Sequence, residues 1–436
     1  MRGAFVRLLL AGLLGGAPAA GAQERIQIEV ESGSGRGYQV AVQSFLPRRG
    51  GFTHSEPFHS ALVEGLNFSG ALEVVDEAAF LEPRQTASLR GRIDCANWRG
   101  IGADGLVQGM LEVRGRELVA TYRVWDTVRC RLQGSVTESR RALRERELLA
   151  RSIADEIVRR FTGKRGVSST QIAFVSDGDG QGNKEIYLME ADGGNKRAVT
   201  GNGSINLFPS WAPDGRSLVY TSFKSGRSDI WKIYRGSIPG HPLLAERAEK
   251  FRAVFDARSG RLGLVMSRGG NTDLYSVDAS GAGLERLTGS RSIETSPSFS
   301  PDGRRMAFVS DRGGAPQVYL KDLGTGEERR LTFRGGYNSS PAWSPTGEWI
   351  AYTARTSGGF DLYLIDPDTG FTTPLVVHPR SDEAPSWSPD GRKIAFSSTR
   401  RGRQEIYRID VDGRNLVRMT ARFGNSSHPA WSGFLE

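Results

Sequence analysis

A 44-residue repeat in the second half of the chain constrains the fold more than any other feature. The segment Pro209-Ser-Trp-Ala-Pro-Asp-Gly-Arg216 has close copies at 297–304, 341–348 and 385–392. A degenerate copy at 253–260 and a truncated copy at 429–432 keep the same spacing. A fixed period of roughly 40 to 45 residues with four strands in each unit is typical of β-propeller blades.

Each copy continues with the same strand and turn signals. An apolar segment, Met306-Ala-Phe-Val-Ser310, comes first, a second segment follows at 317–322, and Arg330-Leu-Thr332 ends the unit. Period-2 patterns with Val, Ile, Tyr and Phe, bounded by Gly, Pro and Asp, indicate β-strands. The Ser-Pro-Asp-Gly element indicates a turn, because Pro presets φ and Gly accepts a positive φ. Each unit therefore predicts four short strands.

The number of units predicts how the array closes. Five full units begin at 209, 253, 297, 341 and 385. The last strand, at 429–432, has no partners in its own unit, whereas three strands at 172–176, 185–189 and 198–200 have no first strand. Joining the two sets makes a sixth blade and removes the exposed edges of an open array. The sequence therefore predicts an all-β six-bladed β-propeller over 170–436, closed by the C-terminal strand.

The N-terminus has the pattern of an export signal. Arg2 and Arg7 flank an apolar run from Leu8 to Leu14, and Ala-Gly-Ala follows at 20–22, so we expect a signal peptide over 1–22. The run is shorter than the roughly 20 apolar residues of a membrane-spanning helix. Lys and Arg exceed Asp and Glu by 58 to 49, which favours anionic partners. An exported protein has little access to nucleic acid, so we expect neither a nucleic-acid partner nor a membrane span.

Residues 23–37 predict a flexible arm. Ile26, Ile28 and Val30 alternate with polar or charged residues, and a Gly- and Ser-rich stretch follows at 33–37. One interpretation is a mobile arm that adds as a strand to a partner's sheet. The other is an ordinary strand of the first domain.

Residues 38–165 predict an α/β domain. Strands are expected at 38–45, 106–113 and 118–125, and helices at 57–68 and at about 141–161. Ser55 is the expected cap of the first helix, and Gly163 ends the second.

Known catalytic and metal-binding motifs are absent from the sequence. There is no Gly-x-Ser-x-Gly, no His-Glu-x-x-His and no phosphate-binding loop. Residues 177–183 resemble the start of a calcium loop, but the twelfth position is Leu188, so a hairpin turn is expected instead. The two cysteines, Cys95 and Cys130, are too few for a four-cysteine zinc site. Whether they form a disulfide with each other stays undecided from the sequence. We expect no metal and no cofactor.

The order of these parts, with particular motifs, carries a resemblance to a known family. The motifs include Gly102-Ala-Asp-Gly-Leu-Val-Gln-Gly109, Tyr122-Arg-Val-Trp-Asp126 and Ile153-Ala-Asp-Glu-Ile157 leading into Phe161-Thr-Gly-Lys164. With the signal peptide and the propeller, the chain resembles the TolB family, periplasmic components of the Tol-Pal system of Gram-negative bacteria. The resemblance covers nearly all of the chain after residue 22.

The resemblance implies a periplasmic scaffold without enzymatic activity. Its expected partners are the lipoprotein Pal, bound by the propeller, and TolA, bound by the arm, with other outer-membrane proteins as further candidates. The role implied is in outer-membrane integrity and envelope constriction at cell division. Implied TolA contacts are Glu24, Ile26, Ile28, Val30 and Ser32. The implied Pal face consists of the loops before the Pro-x-Trp strands, where Thr295 matches a family contact position. Glu249 and Arg252 fall at positions where family members can carry His and Ala. Position in these loops alone adds Asn206, Phe208, Ser339, Asp382, Glu383 and Ser427.

An enzymatic function is the alternative. An exported propeller that cleaves glycans or peptides would need two central carboxylates as acid and base, and Asp382 and Glu383 are the candidates. Nothing in their spacing requires that chemistry.

Overall fold

The computed structural model describes residues 37–435 apart from 82–88, 90, 179–181, 237–238 and 245. The expected signal peptide, and the arm up to residue 36 with its five implied TolA contacts, lie outside the described residues. The described chain forms an α/β domain followed by a six-bladed β-propeller. The fold class expected from the sequence is confirmed.

The α/β domain is a mixed sheet with helices on both faces. Its elements are β1 (Tyr38–Val42), β2 (Leu46–Arg48), α1 (Phe52–Phe68), β3 (Leu72–Val74), α2 (Cys95–Gly100), β4 (Gly105–Arg114), β5 (Glu117–Asp126), β6 (Arg131–Leu132), β7 (Thr137–Ala142) and α3 (Arg146–Thr162). The main strand order is β3-β1-β4-β5-β6, with β2 paired to β4 and β7 paired to β5. Val40 and Val42 pack under α1 and α3, while Ala41 between them packs with Trp98 of α2. This alternation along β1 covers both faces of the sheet.

Both helices that the sequence predicted in this domain differ from the prediction at their N-termini. Helix α1 begins at Phe52, and the Ser55 hydroxyl donates to the Phe45 carbonyl at 2.9 Å instead of capping. Pro57 therefore lies inside the helix. Helix α3 begins at Arg146, because residues 137–142 pair with β5 as strand β7. The prediction of a helix from about 141 was wrong there.

A disulfide joins Cys95 at the start of α2 to Cys130 after β5. The sequence left this pairing open. The bond anchors a six-residue helix, too short to be stable alone, against the sheet.

Removing this disulfide is expected to destabilise the protein. The bond closes a loop of 35 residues, for which chain-entropy reasoning predicts a loss of about 3 to 4 kcal/mol. The double variant Cys95→Ala/Cys130→Ala should lose that amount in urea unfolding. Oxidised and reduced wild type provide the control, because reduced wild type should match the variant. Equal stability of oxidised wild type and variant would contradict the expectation.

The propeller consists of six four-stranded antiparallel sheets. The inner strands are β11 (Asn206–Trp211), β15 (Glu249–Phe255), β19 (Glu294–Phe299), β23 (Asn338–Trp343), β27 (Asp382–Trp387) and β31 (Ser426–Trp431). The second strands are β8 (Gln171–Ser176), β12 (Ser217–Ser222), β16 (Leu262–Arg268), β20 (Arg305–Ser310), β24 (Ile350–Arg355) and β28 (Lys393–Ser398). The third strands are β9 (Glu185–Glu190), β13 (Asp229–Tyr234), β17 (Asn271–Val277), β21 (Gln317–Asp322), β25 (Phe360–Ile365) and β29 (Glu405–Asp410). The outer strands are β10 (Arg197–Ala198), β14 (His241–Pro242), β18 (Glu285–Arg286), β22 (Glu328–Arg330), β26 (Thr372–Val376) and β30 (Val417–Arg418).

Blade one combines the two ends of the repeat region, with strand order β10-β9-β8-β31. Blades two to six follow in chain order from β11. Tryptophans at the ends of two inner strands bind their blade to its neighbour. Trp211 Nε1 donates to the Ala430 carbonyl at 3.0 Å, and Trp387 Nε1 donates to the Ala342 carbonyl at 2.8 Å. Both rings are buried, so the repeated Trp contributes apolar burial and a hydrogen bond between blades.

The α/β domain contacts the propeller at the end where the inner strands finish. Arg151 of α3 forms ion pairs with Glu190 and with Asp192, the latter at 2.6 Å. Phe68 at the end of α1 lies between Lys393 and Arg408, at 5.3 and 4.4 Å from its ring centre. The opposite end, where the inner strands begin, is called the distal face below.

Candidate functional site

The six inner strands surround a central channel of about 440 Å³. Its wall consists mainly of the Pro, Ala, Ser and Trp residues of the repeated Pro-x-Trp motif. On the distal face, six segments lead into the inner strands and are called the mouth loops. They are 201–205, 244–248, 288–293, 332–337, 377–381 and 420–425.

All six inner strands bulge at their third or fourth residue, just inside the channel mouth. The bulge residue has a left-handed backbone in every blade although none is glycine. These residues, with φ between 49° and 57°, are Phe208, Arg252, Ser296, Ser340, Ala384 and His428. Such a backbone costs an L-residue about 1 to 2 kcal/mol. Hydroxyls of the preceding blade offset this cost, since Thr221 and Ser397 each accept a bulge N–H at 3.0 Å.

Three bulge side chains form a cluster on one side of the mouth. The rings of Phe208 and His428 meet edge to face with centroids 4.5 Å apart, and the Arg252 guanidinium lies 5.4 Å from the Phe208 ring centre. Burial lowers the pKa of Arg252 to about 10, so it stays protonated at neutral pH. Burial, with the nearby charges of Arg252 and Lys184, lowers the pKa of His428 to about 4. The cluster therefore carries one positive charge at neutral pH.

Glu383 lies half-buried on blade six, which is opposite blade three in the ring. Burial raises the pKa of Glu383, and the charge of Asp382 adds to this. Asp382 is fully buried and accepts two hydrogen bonds of 3.0 Å from Arg400. Because neighbouring residues of a strand face opposite sides, these two carboxylates do not converge on one space. The acid and base pair of the enzymatic alternative is therefore not formed by them.

A ring of buried polar residues lies just behind the mouth, at the first or second position of each inner strand. Asn206 donates to Glu185 at 2.9 Å, and Lys250 pairs with Asp229 at 2.7 Å. In each case the partner lies on the third strand of the preceding blade, 21 residues earlier. These contacts join adjacent blades where the mouth loops begin.

All nine implied Pal contacts lie within the inner strands and not on the loops before them, because these strands begin earlier than the repeated Pro. They fall into two groups. Asn206 and Asp382 have no exposed surface, and Ser427 is 6% exposed, so their side chains support the mouth from behind. The others have exposed surface at the mouth or its rim, namely Thr295, Ser339, Phe208, Arg252, Glu249 and Glu383. Sequence reasoning missed His428, although it lies 44 residues after Ala384 and immediately before a Pro of the repeat.

The calcium-like loop is only partly described, because 179–181 lie outside the described residues. Asp177 accepts hydrogen bonds from the backbone and side chain of Asn425 at 2.5 and 2.9 Å. Over the described ranges, no three His, Cys, Asp or Glu side chains group closely enough to hold a metal ion.

The lowered pKa of the half-buried His428 predicts a difference in stability that grows in acid. In the folded protein the imidazole stays neutral down to about pH 4, whereas in the unfolded chain it binds a proton near 6.5. Its contribution is therefore intact above pH 6.5 and is lost as the pH falls towards 4, by up to about 3 kcal/mol. The variant His428→Asn removes the titration, and Asn tolerates the left-handed backbone. Urea unfolding from pH 7 to 4 should show wild type losing about 3 kcal/mol more than the variant; parallel curves would contradict this.

Comparison with known proteins identifies both parts of the chain. The family description "TolB beta propeller domain" matches residues 158–435, and "TolB amino-terminal domain" matches residues 26–132. Among the described residues, no helix has the length and apolar character to cross a membrane.

Named relatives and a solved structure agree with this match. A Tol-Pal system protein TolB from Anaeromyxobacter dehalogenans strain 2CP-1 is 35% identical over 292 residues, 67% of this chain and 66% of that protein. The protein of the same name from Dinoroseobacter shibae is 32% identical over 309 residues, 68% of each chain. The chain thus spans just under two thirds of the length of the first of these relatives. The crystal structure of TolB from Acinetobacter baumannii shares the fold, with a TM-score of 0.76, 23% identity and coverage of 95% of this chain and 98% of that one.

Proposed function

This chain belongs to the TolB family of the Tol-Pal system, and from that premise we propose that it is a periplasmic scaffold without enzymatic activity. In this proposal the propeller binds Pal and the N-terminal arm binds TolA. The scaffold thereby supports outer-membrane integrity and envelope constriction at cell division. The names of its relatives, Tol-Pal system protein TolB, support the role.

The observation that carries the proposal is the open distal face. The described contacts of the α/β domain lie at the other end of the ring, at Glu190, Asp192 and Lys393. As far as the described residues go, the mouth loops and the channel they surround are therefore open to a partner. The channel mouth offers apolar walls with a few polar groups, as protein-binding surfaces do.

The proposed Pal contacts are the accessible residues of this face. Thr295 and Ser339 lie at equivalent positions of blades four and five, and Glu383 follows on blade six. Phe208 and Arg252 add the cluster at the mouth, and Glu249 lies on the rim. Asn206, Asp382 and Ser427 act indirectly, by fixing the backbone of the loops.

The arm over 23–37 is the proposed TolA-binding segment. Its alternating residues, Ile26, Ile28 and Val30, suit addition of a strand to the edge of a partner's sheet. The arm continues directly into Tyr38, the first residue of β1.

Calorimetric titration tests the two binding sites separately. The mature protein and a deletion of residues 23–34 are each titrated with the soluble domain of Pal, and then with the soluble domain of TolA, from the same organism. We expect Pal to bind both proteins and TolA to bind only the one with the arm. Loss of Pal binding on deleting the arm would move the Pal site off the propeller. Absence of Pal binding to either protein would overturn the proposed function.

A further inference from the structure

Exposed arginines ring the distal face. Five of the six mouth loops contain one, and each of the five side chains is exposed to solvent. They are Arg247, Arg291, Arg334, Arg380 and Arg422, called the rim arginines below. The ring surrounds the channel mouth on all blades except blade two.

The rim arginines lack carboxylate partners. In the part of the chain that the structure describes, none of the five lies within 4 Å of an Asp or Glu oxygen. Arginines deeper in the same blades are paired, since Arg400 binds Asp382 at 3.0 Å and Arg418 binds Glu405 at 2.5 Å. Within the described residues, these deeper arginines therefore have carboxylate partners and the rim arginines do not.

The charge balance differs between the two ends of the ring. The six mouth loops contain five arginines and one carboxylate, Glu246. A second carboxylate, Glu249, lies at the start of β15, and it already accepts a hydrogen bond of 2.9 Å from the Ser228 backbone N–H. At the other end, the turns after the inner strands, 212–216, 256–261, 300–304, 344–348 and 388–392, contain five arginines and five carboxylates. The positive charge is therefore specific to the distal face.

Exposed apolar side chains lie among the rim arginines. Phe333 is 73% exposed, Val377 59% and Ile293 56%, and Ile205 and Tyr337 are also exposed on mouth loops. Aromatic residues and arginine are the residue types enriched in protein interfaces, whereas lysine is depleted. This composition fits a folded protein partner.

Arg252 extends the positive charge into the mouth. Its guanidinium is half-buried against Phe208, and no described carboxylate lies within 4 Å of it. Its ring neighbour His428 is neutral above about pH 4. Burying a cation without a counter-ion is costly, and a carboxylate from outside can bind guanidinium through two parallel hydrogen bonds. The mouth therefore suits an incoming Asp or Glu side chain.

From these observations we propose that the distal face receives an acidic protein surface. The rim arginines attract it electrostatically, and Arg252 binds a carboxylate that enters the channel mouth. The inference rests on the proposed function, because it gives the chemistry of the partner surface at the same face.

Association kinetics with the soluble domain of Pal separate the two roles. The rim variant carries Arg→Gln at all five rim positions, and the mouth variant carries Arg252→Gln. Surface charges mainly change association rates, and buried charge pairs mainly change dissociation rates. At low salt we expect the rim variant to associate about tenfold more slowly, with a flatter dependence on salt. The mouth variant should dissociate about tenfold faster and associate normally.

A matched control carries Arg216→Gln, Arg258→Gln and Arg304→Gln, three exposed arginines at the opposite end of the ring. It should bind as wild type does, with unchanged rates. A rim variant that associates as fast as wild type at low salt would overturn the proposal while leaving Pal binding in place. An unchanged dissociation rate in the mouth variant would likewise overturn the proposal while leaving Pal binding in place.

A fluorescent peptide of ten glutamates tests the surface independently of Pal. Wild type and the control variant should bind it in a salt-sensitive way, and the rim variant should bind about tenfold more weakly. Equal binding by the rim variant and wild type would overturn the inference. If Pal fails to bind and the acidic peptide binds as expected, the proposed function fails and the acidic-partner inference stands.

Discussion

A chain that ends at Gly424 is expected not to form the propeller. It lacks β31, which supplies the inner strand of blade one by pairing with β8 about 250 residues earlier. Trp431 also donates to the Thr170 hydroxyl at 2.8 Å and packs on Ile172 and Phe174. Truncating one buried Trp to Ala costs about 3 to 5 kcal/mol. Losing the whole strand is expected to cost more than the free energy of unfolding of a typical domain, which is about 5 to 15 kcal/mol.

Near-ultraviolet circular dichroism and urea unfolding test this truncation. We expect no cooperative propeller transition from the truncated chain. A synthetic peptide of residues 424–436, added in trans, should restore the signal, and a scrambled peptide of the same composition should not. A truncated chain that unfolds cooperatively at the wild-type urea concentration would show that ring closure is not required.

Replacing Asp155 with Ala is expected to cost about 3 to 5 kcal/mol, because it leaves buried donors without an acceptor. Asp155 lies on α3 with no exposed surface. Its oxygens accept from the Ser168 N–H and hydroxyl at 2.7 Å each, and from the Ser169 N–H at 2.9 Å and hydroxyl at 2.5 Å. These four bonds fix the linker between the two domains to the last helix of the first.

Two further variants check that the loss comes from this contact. A Cβ on Gly166 would lie 2.6 Å from Asp155 Oδ1, so Gly166→Ala should destabilise the same contact without removing the carboxylate. Asp155→Asn should lose less than Asp155→Ala, because one oxygen still accepts from Ser168. Urea unfolding measures all three. Wild-type stability in Asp155→Ala would show that the four bonds contribute nothing net.

The repeat allowed the propeller to be predicted almost completely. The Pro-x-Trp motif or a variant of it recurs every 44 residues and places each inner strand, since the repeated Pro follows the bulge and Trp211 bonds to the neighbouring blade. The first domain has no repeat, so its helix boundaries depended on local signals. Ser55 looked like a cap and instead bonds to Phe45. The sequence could not decide whether Cys95 and Cys130 pair, because a separation of 35 residues along the chain does not show how close two residues lie in the fold.

The site was harder to predict because every inner strand bulges at the mouth. Sequence position placed Asp382 and Glu383 together, yet Asp382 is fully buried against Arg400, whereas Glu383 is only half-buried. The bulge between Glu383 and Ser386 shifts the register, and no sequence signal gives the direction of a side chain beside a bulge. The residue before each repeated Pro marks the bulge at the channel mouth. His428 has this position in the truncated copy at 429–432, and it was missed because that copy was interpreted only as the strand that closes the ring.

Hydrogen exchange of the mature protein, alone and with the soluble domain of Pal, tests the central claim most directly. The claim is that the distal face of the propeller is the partner-binding surface. It predicts slower exchange in the mouth loops and inner strands, at 201–211, 332–343 and 376–387, with little change in residues 38–165. Protection confined to residues 38–165, or to the turns at the other end of the ring, would contradict it.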